Sequence, residues 1–432
     1  MVTCFPFMTT YDPPGTSEGT LDPLGLYQIA DQLAVQLVPA VRERMRRIRF
    51  VTAMAVGAIV AEGLEEDPKY LDASPYLIWE WLIVEAIVRQ MADGNDIAGV
   101  PGRHMARRAI DQHGYLDARS YLKTPRIFGF HGIYKRLAVH LGLIDVHLGL
   151  GPNTEKLADA WARGQGLAGL NEAKPIISRW QEAVRRSLDE KPPRAKPGWI
   201  GERWAELARS FSPATARARE KHFLEELLLE SKDRPLGALP AIWQLQGDYD
   251  DDKFREEDLH DRLEKRQPSY GPLLDAIRGY ESFARSLQDA FDVLKAEAAR
   301  PDAQGFLVHE IARDKDFERS VSGLHKQFET AHRALGEVAI ASLSIQNLFA
   351  ERFEAFSEPL KSGACALALC DHHLKVQGGK SADGKRSWFD RLGPDRIYVR
   401  HRYREARRDI APGRYLHEYR GRPIGRFRVD LS

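Results

Sequence analysis

The apolar positions along this chain recur mostly with a helical period. Leu26, Ile29, Leu33 and Leu37 predict a helix after "GTLDP", interrupted at Pro39. "SPYLIWEWLIVEAIVRQM" predicts a second, with Ser74 as its cap and Pro75 in the first turn, where a missing backbone donor costs nothing. Further helices are expected over "RHMARRAIDQHG", "NEAKPIISRWQEAVRRSLDE" and "ATARAREKHFLEELLLESKD". Leu274, Ile277, Phe283, Leu287, Phe291 and Leu294 fall roughly on one stripe of a long helix. A second helical stretch from Phe306 to Phe356 should break near Asp314 to Asp316 or at Gly323. The linker "RPDAQG" makes the two an antiparallel pair. Only the carboxyl end changes period: "RIYVRHRY" alternates, and "GRYLHEYRGRPIGRFRVDL" reads as a turn-rich β segment.

These elements predict a mainly α fold. A multi-helix domain over residues 1–190 would contain a winged-helix-like segment at 103–165. A helical domain with the long antiparallel pair would cover 199–360, and a small basic α+β region 361–432. "KPPRAKPG" (Lys191 to Gly198) is the expected boundary, because its three prolines deny a helix its donors.

Composition adds limits. With 432 residues the chain has room for two or three domains, and its net charge of +1 excludes a polybasic coat. The charge is uneven: Leu374 to Ser432 holds roughly 16 Lys/Arg against about 7 Asp/Glu. Three cysteines suit a reducing cytosol rather than a disulfide scaffold. The first residues do not read as a signal peptide. The most apolar runs, "FVTAMAVGAIVA" and "YLIWEWLIVEAIV", are shorter than a membrane span. A cytoplasmic protein with no membrane contact is expected.

Four constellations could carry chemistry. In the first, "FGFHGIYKRLAVHLGL" would hold two helices, "LIDVH" and "LGLGP" a two-stranded wing, and Thr154 to Trp161 the start of a closing helix with Asn153 as cap. This order resembles a winged-helix domain, which implies DNA contact through Lys123, Arg126, Lys135, Arg136 and His140. The adjacent Lys135 and Arg136 point about 100° apart, so a helical module docking protein is the alternative. The second is "CALALCDHH". Cys365, Cys370, His372 and His373 are zinc-ligand types at a spacing that fits no standard motif. The preferred reading is small core cysteines with histidines at surface or cap positions, and no metal is assigned.

The third is the basic tail. Lys380, Lys385 and Arg386 sit in a Gly/Lys-rich loop that is not a P-loop. On a strand, Arg400, Arg402 and Arg404 would share one face, as a nucleic-acid surface or a solvated edge. The fourth is "VRERMRRIRF", where Arg42, Arg46 and Arg49 would share a helical face, gripping phosphates or pairing with acids inside the chain. The aspartates of "GDYDDDKFREEDL" fail as a calcium loop, since Lys253 and Leu259 stand where glycine and glutamate are needed. No hydrolase, Walker or Rossmann fingerprint is present, so no catalytic residue and no cofactor are assigned.

"LDPLGLYQIADQLAVQLVPAVRERMRRIRF" and "HHLKVQGGKSADGKRSWFD" resemble the opening and the tail of a group of helical bacterial proteins encoded in anti-phage or anti-plasmid defence islands. The resemblance implies helicase, ATPase or nuclease partners. The resulting expectation is a non-enzymatic subunit of a defence complex that binds double-stranded DNA. A pure protein scaffold and a metal-dependent nuclease with its site in the last seventy residues stand as alternatives.

Overall fold

The computed structural model describes residues 22–65, 68–70, 73–91, 99–122, 129–230, 235–245, 247, 249, 253–300, 305–338, 343–380, 385–404 and 414–432. These contain 17 α-helices and two small sheets, of 2 and 3 strands, so the fold is mainly α as the periodicity predicts. The first half runs α1 (Tyr27–Leu37), α2 (Phe50–Ala61), α3 (Pro75–Met91), α4 (Arg103–His113), β1 (Leu116–Asp117), α5 (Phe130–His140), α6 (Thr154–Gly164), α7 (Leu170–Asp189), β2 (Arg194–Ala195), α8 (Trp204–Phe211), α9 (Ala218–Leu229) and α10 (Leu239–Trp243). The second half runs α11 (Glu256–Arg266), α12 (Gly271–Ala298), β3 (Phe306–Leu307), α13 (Lys315–Val321), α14 (Leu324–Glu337), α15 (Leu343–Phe353), α16 (Ser362–Gly378), β4 (Phe389–Arg391), β5 (Arg396–Val399) and α17 (Gly421–Leu431).

The chain divides into two compact units. The first comprises the described residues of Met1–Gln36 with Arg255–Tyr419; the second comprises those of Leu37–Phe254 with Arg420–Ser432. The proline-rich segment expected as a boundary lies inside the second unit, where β2 pairs antiparallel with β1 (Leu116↔Ala195).

In the second unit α2 is apolar almost all round and buried along most of its length, the pattern of a core helix. Among the described residues no helix is long and apolar enough to cross a membrane. Gly57 lets α2 approach α3, since a Cβ there would lie 2.4 Å from the Trp79 indole. Trp79, Trp161, Trp180 and Phe211 form an aromatic centre, with Trp161 and Phe211 stacked at 5.7 Å. Two of the indoles have a backbone partner: Trp79 Nε1 donates to Ala53 O at 2.9 Å and Trp161 Nε1 to Ser210 O at 3.1 Å. As expected, Ser74 Oγ takes a first-turn amide of α3, that of Leu77.

The carboxyl end of the second unit corrects the sequence reading. Gly421–Leu431 is a helix, not a β segment. Ile424, Phe427 and Leu431 occupy one buried face at helical spacing, and Gly425 admits the Tyr249 ring. Arg428 then fastens α17 by donating to Leu245 O (2.7 Å) and Gly247 O (2.6 Å).

In the first unit α12 packs along α14, with Phe283, Phe328, Phe349 and Phe353 interleaved. The stretch expected as helix from Phe306 opens as β3 and a 3-10 helix over Val308–Arg313, and it then breaks at both expected places. Asp314 caps α13 by accepting from Asp316 N and Phe317 N, and Gly323 takes a φ of +74° before α14. The three-stranded sheet has the order β3-β5-β4, antiparallel throughout.

Candidate nucleic-acid interface

The segment Val41 to Arg49 is not the helix expected of it, so Arg42, Arg46 and Arg49 share no helical face. Pro39 ends α1, Ala40 takes a φ of +65°, and the chain then runs in turns up to α2. Met45 and Ile48 are buried while Arg44 and Arg46 are exposed. The run is pinned from three sides. The Tyr134 hydroxyl on α5 accepts from Arg46 N (2.9 Å) and Arg47 N (3.1 Å). Asp430 on α17 accepts from Arg47 Nη1 (2.6 Å) and Ile48 N (3.1 Å). Arg49 turns fully inward to Glu220 on α9, and its Nη1 also reaches Ser212 O and Thr215 Oγ1. The alternative of pairing with acids inside the chain therefore holds for Arg47 and Arg49.

Arg44, Arg46 and Arg47 line one side of a cleft of about 770 Å³. Arg103 from the first turn of α4 and Arg426 from α17 complete its cationic lining, and His104 stands beside Arg103. None of the described residues lining it is acidic. Met105, Ile133 and Val429 supply apolar wall between the arginines. Arg47 is paired with Asp430; the other four guanidinium groups around one concavity concentrate positive potential, and the low-dielectric wall focuses it.

The loop Gly99–Gly102 forms the lip, and its two glycines are required. Gly102 has a φ of +69°, and a Cβ there would lie 2.6 Å from the Tyr121 hydroxyl. Gly99 has a φ of +91°, and a Cβ there would lie 2.5 Å from Arg46 Cβ. Below the lip, the Tyr121 hydroxyl donates to Pro101 O at 3.2 Å and lies 3.5 Å from Glu80 Oε1. Glu80 is buried on α3, and its other oxygen accepts from His131 N at 3.1 Å, at the start of α5. Burial pushes this carboxyl up to about 7, against the lowering effect of the His131 and Phe130 amides. The lip of the cleft and the amino end of α5 thus rest on one buried carboxyl group.

Of the residues expected in a recognition helix, Lys123 and Arg126 lie outside the described residues. On α5, Arg136 is exposed, and Lys135 and His140 are half-buried. Ile133 of the same helix reaches the cleft, and Arg136 follows it three residues on. The two-stranded wing reduces to a single antiparallel bridge, Ile144↔Leu150. Asp145 turns the chain too early for more, taking the amides of His147 (2.7 Å) and Gly149 (2.8 Å). The Asn153 side chain does not cap α6. Its Nδ2 donates to Leu141 O, and Thr154 Oγ1 accepts from Gly151 N instead.

The arginine ladder of the tail does not form. β5 ends at Val399, and His401–Tyr403 is a turn of 3-10 helix, so Arg400, Arg402 and Arg404 cannot alternate on one strand. Arg400 is buried, donates to Ser387 O and lies 5.7 Å from the Tyr403 ring centre. Arg404 donates to Val399 O above the Tyr398 ring, and Arg402 is exposed. Arg386 is exposed and Lys385 half-buried. Lys380 binds Asp22 O and lines a cavity of about 410 Å³ in the first unit, where Asp22 and Glu351 balance Arg352 and Lys375.

The histidines of "CALALCDHH" are neither surface groups nor free ligands. His372 Nε2 bonds Leu24 O (2.9 Å). His373 Nδ1 bonds Pro23 O (2.9 Å), and its Nε2 accepts from Trp388 N (3.0 Å). Burial pushes the Cys370 thiol up to about 12 and the His373 ring down to about 4. Among the described residues no three His, Cys, Asp or Glu side chains gather in a way that could hold a metal ion. The cysteine–histidine candidate is therefore core packing.

No protein-family profile, curated protein or solved structure matches the chain. The cleft residues missed in the sequence are Arg103, His104 and Arg426. Nothing local marks them, since they meet Arg44 and Arg46 only after α4 and α17 have docked.

Proposed function

We propose that this chain is a non-enzymatic nucleic-acid-binding subunit that grips phosphates through the arginine-lined cleft of its second unit. One observation carries the reading: four arginines besides the Asp430-paired Arg47, from three separate segments, converge on a concave surface whose described lining holds no carboxylate. Arginine's planar fork suits phosphate oxygens, and each phosphate neutralised releases counterions, so binding must weaken with salt. The role of a subunit in a bacterial defence complex, beside a helicase, ATPase or nuclease, is supported by the resemblance of residues 21–50 and 372–390. The hold of Tyr134 and Asp430 on the Arg46–Arg47 backbone and the Arg47 side chain supports a preorganised site.

The test is anisotropy of labelled DNA with the full chain over a salt series. Arg44→Ala/Arg46→Ala should weaken binding at every salt concentration and flatten the log–log slope by up to about 2. Arg402→Ala, outside the cleft, should leave both unchanged. No binding at low salt, or binding indifferent to the double substitution, rejects the reading and leaves the protein scaffold.

A further inference from the structure

We infer that the arginine cleft binds an unpaired nucleic-acid strand, its phosphates on Arg44, Arg46, Arg103 and Arg426 and its bases on Met105 and Val429. This rests on the phosphate-gripping reading above and specifies the ligand.

Shape is the first argument. The phosphates of a duplex lie on a convex cylinder, and proteins that read it project a helix or a ribbon into a groove. Here the cations line a concavity of about 770 Å³, the size of a small-ligand site. A single strand, or the end of one, can enter such a space; a duplex can only lie across its mouth.

The apolar lining is the second argument. Met105 is 42 % exposed and Val429 is 66 % exposed, both unusually open for large apolar side chains, and both belong to this cleft. They stand beside the cations: Met105 follows Arg103 and His104 on α4, and Val429 lies three residues from Arg426 on α17. A duplex hides the faces of its bases in the stack, so apolar wall among phosphate-binding groups would gain nothing from it. An unpaired base offers that face, and the His104 ring and guanidinium planes beside it are stacking partners as well. The third argument is the first turn of α4. Its N-cap is Gly102, which has no side chain to take up its amides, and these add partial positive charge where Arg103 and His104 enter the cleft.

The experiment compares four probes on the full chain at one salt concentration: a labelled oligothymidylate, a duplex of equal length, inorganic polyphosphate as a backbone without bases, and an acidic amphipathic peptide. The oligothymidylate should bind about 10-fold tighter than the duplex. Met105→Ser/Val429→Ser, at exposed positions, should cost oligothymidylate about 10-fold and polyphosphate nothing. Thermal melts of the variant check that it folds. Equal affinity for strand and duplex, or oligothymidylate binding unmoved by the apolar substitutions, overturns the inference while leaving phosphate binding intact. Preference for an acidic amphipathic peptide over oligothymidylate overturns it in favour of a protein partner. Failure of all three phosphate-bearing probes to respond to Arg44→Ala/Arg46→Ala removes the underlying reading instead.

Discussion

The Arg49 guanidinium meets the Glu220 carboxylate in two parallel bonds of 3.0 Å each, with 1 % and 0 % of the two residues exposed. It ties the turn before α2 to α9 across 171 positions of sequence. Water cannot take over either partner, so the two are interdependent. Removing one buries an uncompensated charge and should cost about 3–5 kcal/mol, whereas replacing both with apolar groups should cost far less. Glu220→Ala is therefore expected to lower the urea midpoint strongly, and Arg49→Met/Glu220→Leu to recover most of it. A double variant as unstable as the sum of the single ones would show that the two residues act independently and not as a pair.

Tyr134 separates position from charge in the cleft. Its hydroxyl takes the amides of Arg46 and Arg47 and carries no charge itself, since burial pushes it up to about 12. Tyr134→Phe leaves two amides short of an acceptor, a loss of about 1–3 kcal/mol in stability. DNA should bind several-fold more weakly, because the exposed arginines are no longer held in register. The salt slope should not move, because no cation is lost. A slope that drops as far as in Arg44→Ala/Arg46→Ala would mean that the hydroxyl acts on the charges and not on their placement.

The parts of this fold that were legible in the sequence are those decided within a few residues. α3 with Ser74 and Pro75, α12 with its apolar stripe, and the breaks at Asp314 and Gly323 each follow from local donors, periodicity or φ. α17 was masked because Gly421, Gly425 and Pro423 argue against a helix, although Ile424, Phe427 and Leu431 keep its spacing. Gly425 is there for the Tyr249 ring, a tertiary reason. The alternation of "RIYVRHRY" suggests an arginine ladder, but β5 stops at Val399 and Arg400 turns in to Ser387 O. In the cleft, "VRERMRRIRF" announced cations but not their direction. Which arginines face outward was decided by Tyr134, Glu220 and Asp430, from three distant elements.

His373 offers a pH test of the core reading of "CALALCDHH". Its Nδ1 faces a carbonyl and its Nε2 an amide, which fixes a neutral ring, and burial holds it down at about 4. A folded value below the unfolded 6.5 means that the unfolded chain binds the proton better. The contribution is therefore present above about pH 6.5 and lost as pH falls through 4. Fully buried His260, held down to about 3, acts in the same direction. The melting temperature should fall over this range, His373→Ala should already be destabilised at pH 7, and a chelator should change neither. A chelator-induced drop in melting temperature would restore the metal reading.

Glu80 must show the opposite sign. Its carboxyl lies at about 7 in the folded chain against 4.5 unfolded, chiefly through burial. The folded state therefore prefers the protonated form. That stabilisation is full below about pH 4.5 and disappears as pH rises through 7. Glu80→Gln keeps an oxygen for the His131 amide and removes the charge. It should melt a few degrees above the parent protein at pH 8 and close to it at pH 5. The lip at Pro101 rests on Tyr121 beside Glu80, so the same substitution should also make DNA binding less dependent on pH between 6 and 8. Glu80→Gln melting lower than the parent by the same amount at both pH values would show that the ionised carboxylate, capping α5, is the form the fold requires.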